Sequence, residues 1–170
     1  MEPKPEDREA YLKGKVVEPA KPIVFYIDNS TPYQWRKYIK RGIEDWQIAF
    51  EKAGFKNAII AIEVTDSMEI DMDDVNYSVL TYAASEKKNA MGPSLLDPRS
   101  GEILEADIMW WHNVLSMVSE WITVQTGTVC PEARSVQLPD SLLGDGIRFV
   151  ACHEVGHSLG LRHNMMGSAA

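Results

Sequence analysis

The chain is poor in cysteine: Cys130 and Cys152 are the only two in 170 residues. Two cysteines build neither a disulfide scaffold nor a CxxC metal pair. A single Cys130–Cys152 disulfide and a pair of buried thiols both remain open, so cysteine usage does not reveal the compartment. Long apolar runs are lacking too, with none near the roughly 20 residues that span a bilayer. Positive charge is scarce: 17 Lys and Arg face 25 Asp and Glu, a net charge of −8 at pH 7. Nucleic-acid binding needs a basic face, so the balance argues against it, and solubility is the plain reading. The N-terminus, MEPKPEDREA, has no apolar stretch of the signal-peptide kind. If the protein is exported, its signal is expected outside this sequence.

What is present suits one soluble α/β (α+β) domain: 45% apolar and 25% charged residues over a length able to bury a core. Residues 1–21 read as an extended lead-in, with a short helix around Arg8–Lys13. The compact apolar run Ile23–Ile27 reads as a buried strand. Thr31-Pro32-Tyr33-Gln34 carries the signals of a capping box with proline at the first helical position. Trp35, Ile39, Ile43, Trp46 and Phe50 then recur every three or four residues, predicting one long helix with an apolar stripe, stopped at Gly54. Residues 57–64 predict a second strand. Asp66–Asp74 holds five acids and reads as a solvated loop. A calcium site is the alternative, although the spaced ligands and central glycine of a calcium loop are absent.

Tyr77–Ala83 predicts a third strand. The turn Asp97-Pro98-Arg99-Ser100-Gly101 joins two strand-like runs, AMGPSLL and ILEADIMW, into a predicted hairpin. Pro93 cannot donate to a ladder, so Met91–Leu96 should be an edge strand. Trp111–Gln125 has helical periodicity. A last helix is expected from Asp140 or Ser141, with Leu143, Ile147, Val150 and Val155 toward the core. A strand, a long helix, several strands and then helices describe an α/β sandwich-like domain.

The last helix carries the chemistry. His153 and His157 lie four apart, on one helical face, where both imidazoles can meet one cation. Glu154 stands beside the first of them as candidate general base. Gly160 allows a positive φ that ends the helix, so His163 can fold back to the same metal. The string H-E-x-x-H-x-x-G-x-x-H is the metzincin signature. At this chain's own residue frequencies it should arise by chance in roughly one such chain in 10⁵. Three imidazoles leave Zn²⁺ a position for water, which zinc would activate against a peptide carbonyl. His112 has no partner at ligand spacing and reads as structural, and Cys152 points away from His153 as a packing residue.

Beyond the motif, KPIVFYIDNSTPYQWRKYIKRGIEDWQIAFEKAGFKNAI, GPSLLDPRSGEILEADIMWWHN and IRFVACHEVGHSLGLRHNMMGS resemble a family of metzincin-like zinc domains of large exported bacterial proteins, especially of Bacteroidetes. The resemblance runs from about Lys21 to Ser168. It implies a zinc metalloendopeptidase with the metzincin N-terminal subdomain over 22–170: a twisted mixed sheet, a long backing helix and an active-site helix. It further implies His153, His157 and His163 as zinc ligands, Glu154 as general base, a peptide or protein substrate, and an extracytoplasmic location.

In metzincins an edge strand pairs with the extended substrate, so Met91, Gly92, Pro93, Ser94 and Leu95 are the candidate substrate residues. A plain edge strand is the alternative. Met165 and Met166 lie too close behind His163 for the family's methionine turn. The chain is therefore expected to be an N-terminal subdomain, with the rest of a parent protein C-terminal to it. A zinc- or peptide-binding fragment without turnover is the competing reading.

Overall fold

A computed structural model describes residues 1–169. Its helices are α1 (Arg8–Leu12), α2 (Tyr33–Glu44), α3 (Gln47–Lys52), α4 (Val114–Thr126) and α5 (Asp140–Ser158). Its strands are β1 (Ile23–Ile27), β2 (Ile59–Glu63), β3 (Ser78–Ala83), β4 (Ala90–Met91), β5 (Leu95–Leu96), β6 (Ile103–Glu105) and β7 (Ile108–Trp111). Five of them form one sheet in the order β2-β1-β3-β7-β4. The first four run parallel and β4 pairs antiparallel with β7, which makes the mixed sheet of a zincin-like α+β fold. Parallel neighbours need a crossover, and α2 with α3 supplies the one from β1 to β2.

Apolar side chains that alternate along the strands meet the helices in one core. Phe25 and Ile27 of β1, Leu80 of β3, and Ile108 and Trp110 of β7 pack with Trp35, Ile39 and Ile43 of α2. Ile147, Ala151 and Val155 of α5 close the same core. Leu143, Ile147, Val150 and Val155 all turn inward as their spacing predicted, with Leu143 only partly covered.

At Gly42, α2 crosses α5 at close range. A Cβ on Gly42 of α2 would come within 2.7 Å of Ala151 Cβ and 3.0 Å of Cys152 N in α5. Arg148 Nε also donates to Asp45 Oδ2 at 2.6 Å, and Trp46 Nε1 donates to the Cys152 carbonyl at 2.8 Å. The indole thus satisfies its N–H as it packs.

Those last two contacts lie where the expected long helix is interrupted, at Asp45 and Trp46. Both residues keep near-helical dihedrals, φ −58°, ψ −26° and φ −67°, ψ −15°. The 3.6-residue period therefore continues across the break and hides it in the sequence. The capping box does not form either. Pro32 is the N-cap, with no side-chain cap bond, and Thr31 Oγ1 is buried without a partner among the described residues. Instead Thr31 closes a turn onto the Asp28 carbonyl at 3.0 Å.

The second strand starts at Ile59 rather than residue 57, because Asn57 has φ +52°, outside the strand region. Trp111 ends β7, so the fourth helix begins at Val114 instead. The lead-in is less extended than expected. Tyr11 of α1 stacks on Phe55 at 4.9 Å, and Val17 N–H bonds the Gly54 carbonyl at 3.0 Å. Both cysteines are free thiols, so no disulfide joins Cys130 to Cys152.

The Gly42 contact makes a test of sign. Gly→Ala in a helix interior ordinarily gains about 1 kcal/mol. Gly42→Ala is expected instead to lose about 1–3 kcal/mol through overpacking against α5, and urea and thermal unfolding check this.

Candidate metal centre

Helix α5 ends in a Schellman motif, with Leu161 N–H bonded to the Gly156 carbonyl at 3.0 Å and Gly160 N–H to the His157 carbonyl at 2.8 Å. Gly160 has φ +91° and nothing within 4 Å of a would-be Cβ, so its requirement is conformational alone. The chain reverses there and brings His163 back over the helix. His153, His157 and His163 then converge, each pair of Nε2 atoms 3.1 Å apart.

Hydrogen bonding does not account for that triangle, because an imidazole nitrogen either donates or accepts and cannot do both. The protonation pattern points the same way. His157 Nδ1 lies 2.9 Å from the Leu161 carbonyl, which can only accept. Nδ1 therefore carries the proton, and Nε2 presents its lone pair to the cluster. Burial, followed by the neighbouring His157 and His163, lowers the His153 pKa and favours its neutral, ligating form. Zinc–nitrogen distances of about 2.0–2.1 Å in a tetrahedral shell set ligand atoms about 3.3 Å apart, so the 3.1 Å triangle suits zinc.

Glu154 sits between the two helical histidines in sequence and is only 8% exposed. Burial raises its carboxyl pKa, partly offset by His157 and by the Gly92 backbone amide. The sheet edge is close to this carboxylate because Gly92 has no side chain. A Cβ there would come within 2.5 Å of the Glu154 carbonyl and 2.8 Å of Ser158 Oγ. Ser158 is itself buried and donates to the Glu154 carbonyl at 3.1 Å.

A cleft of about 560 Å³ opens over these groups, bounded by Met91, Gly92 and Pro93 on one side and by His153, Glu154, His157 and His163 on the other. The expected edge strand is thus only half realised. Met91 pairs with Met109 at the sheet edge, whereas Leu95 pairs with Glu105 in a separate hairpin with β6. Ser94 and Leu95 do not border the cleft. The separation falls at Gly92-Pro93, where Pro93 has no N–H to continue a ladder and Gly92 is drawn onto α5.

The Asp97–Gly101 turn does form, through Asp97 N–H to Glu102 O and Gly101 N–H to Asp97 O, both 2.8 Å. Among the described residues, the acids of 66–74 bring no three carboxylates together, and the three histidines are the converging group. His112 stands apart from them, its Nδ1 2.6 Å from the Tyr82 hydroxyl.

Residues 135–170 match a family model described as Met-zincin. The matched Met-zincin segment contains α5, the Gly160 reversal and all three imidazoles, and it carries the metallopeptidase class in general. No curated protein and no solved structure matches the chain.

Sequence reasoning missed part of the cleft wall: Met117 and Trp121 of α4, and Phe149 and Val150 of α5. Phe149 was detectable in principle, one helical turn before His153. The Leu161 carbonyl carried no sequence signal, since any residue supplies one.

Gly160→Ala is expected to cost about 1 kcal/mol of strain and to lower zinc affinity by displacing His163. Unfolding and competitive zinc titration check both. Unchanged zinc affinity contradicts the role of the reversal.

Proposed function

We propose that this domain is a zinc-dependent metalloendopeptidase in which Glu154 is the general base. The observation that carries the reading is the joint placement of three converging imidazoles and one buried carboxylate on a single cleft. His153, His157 and His163 would hold the ion. Zinc, when bound, supplies Lewis-acid polarisation of a carbonyl and makes water acidic enough to attack at neutral pH.

The chain's own groups do the rest. The ionised Glu154 carboxylate takes a proton from the attacking water, and the resulting carboxylic acid returns it to the departing amine nitrogen. Burial assists the second half, because a raised pKa makes the protonated form accessible. β4 is the end strand of the five-stranded sheet, and its free edge would offer backbone groups to an extended peptide. A retained Glu154 also argues against a purely structural zinc site, which has no use for that carboxylate and usually closes its fourth position with Cys or His. A peptide or protein substrate belongs to this proposal, and an extracytoplasmic location belongs to it through the family resemblance alone.

The test is zinc content and cleavage of fluorogenic peptides by the purified protein. One zinc per chain is expected, with activity lost on chelation and reduced about 10²–10⁴-fold by Glu154→Ala while zinc stays bound. Cleavage unaffected by that substitution overturns the mechanism. Zinc and peptide binding without any turnover favours the competing reading of a binding fragment.

A further inference from the structure

We infer that the ion pair between Lys88 and Glu120 is a latch that closes one end of the cleft and limits how far a bound peptide extends from the metal on that side. The inference rests on the peptidase reading and adds to it a limit on substrate length. The cleft runs along α5. Gly92 of the sheet edge lies over Glu154 and Ser158, whereas α4 crosses α5 about two turns earlier, where Gly146 meets Val118 and Ile122. From Gly92, β4 leads back toward that helix. Ala90 pairs with Trp110, the Trp111 N–H reaches the Asn89 carbonyl at 3.4 Å, and α4 begins shortly afterwards at Val114. Asn89 on one wall and Met117 and Trp121 on the other therefore meet at this end of the cleft.

The Lys88 ammonium donates to the Glu120 carboxylate across that end. Lys88 precedes Asn89 and Glu120 precedes Trp121, so each partner stands next to a residue that borders the cleft. The loop that carries Lys88 is held independently. Asn113 Nδ2 donates to the Glu86 carbonyl at 2.8 Å, and the Lys87 ammonium lies 4.8 Å from the centroid of the Trp111 ring. Helix α4 is held by its packing against Gly146. Neither backbone has to move for the two side chains to part.

Reach sets the limit. A peptide laid along the free edge of β4 advances about 3.3–3.4 Å per residue, and Asn89 is three residues from Gly92. About three substrate residues thus fit between Glu154 and the ion pair. The next one meets Lys88 and Glu120 and passes only by separating them. Both side chains are exposed, 46% and 62%, so salt screens the pair and it holds by no more than about two- to fivefold in equilibrium constant. The latch disfavours longer substrates without excluding them. Internal cleavage is retained, and sites near one end of a peptide are preferred.

The test uses zinc-loaded wild-type protein and dye-labelled peptides of about one to eight residues bearing a hydroxamate at one end, which chelates zinc and fixes the register. One series carries the hydroxamate at the N-terminal end and the other at the C-terminal end, so the two extend from the metal in opposite directions. Fluorescence anisotropy at low salt is expected to show affinity in one series that stops rising after about three residues. In Lys88→Ala and in Glu120→Ala, peptides of about five to eight residues in that series should bind about two- to fivefold tighter than to wild type, with shorter ones unchanged. Lys88→Glu combined with Glu120→Lys should restore the limit, and about 0.5 M salt should remove it from wild type. Affinity that rises evenly with length in both series, or a limit that persists in both alanine variants, overturns the latch. If the limit behaves as described while wild-type protein cleaves no unmodified peptide, short or long, the peptidase reading falls and the latch stands.

Discussion

Helix α5 is approached closely on four sides, and at each approach one partner lacks a side chain. Gly42 lets α2 reach it, Gly146 admits α4, Gly92 admits the sheet edge, and Gly156 lies beneath Trp46. Interiors are packed densely enough that one methyl group in such a place must move something. The position of α5 therefore has little slack, and the placement of two of the imidazoles and the carboxylate follows from it. His153, Glu154 and His157 need no independent positioning once the helix is fixed. Only His163 arrives from outside, and the Schellman reversal at Gly160 delivers it.

The same contacts shape the electrostatics. Gly92 brings the backbone edge against Glu154, which buries the carboxylate and raises its pKa while leaving the Gly92 amide near enough to oppose that rise. The Leu161 carbonyl, positioned by the same helix end, fixes the His157 tautomer. Burial keeps His153 toward its neutral form. The site is thus a consequence of helix termination and close packing, with the imidazoles held in the arrangement a cation requires.

The parts legible in the sequence were the local ones. Spacings of four and six residues put the three histidines on one site, since helix geometry and a glycine reversal act within a single turn of chain. The inward face of α5, the β1 strand and the Asp97–Gly101 hairpin were readable for the same reason. Features decided by distant partners were hidden. Asp45 and Trp46 interrupt a helix while keeping its dihedrals, and their contacts lie on Arg148 and Cys152, far along the chain. Thr31 has every property of an N-cap, yet Pro32 takes that place. The run Met91–Leu96 looked like one strand, but it serves two sheets because Gly92 is held against α5. Trp121 and Phe149 carried no assignment in the sequence, because only the tertiary packing decides that they face a cleft.

X-ray absorption at the zinc edge of the metal-loaded protein tests the central claim most directly, because it reports the ligands themselves. Three imidazole nitrogens at about 2.0–2.1 Å with one further light oxygen, and no sulfur, is the predicted spectrum. A sulfur scatterer at about 2.3 Å, as from Cys152, or a shell without three histidines would contradict a centre built from His153, His157 and His163.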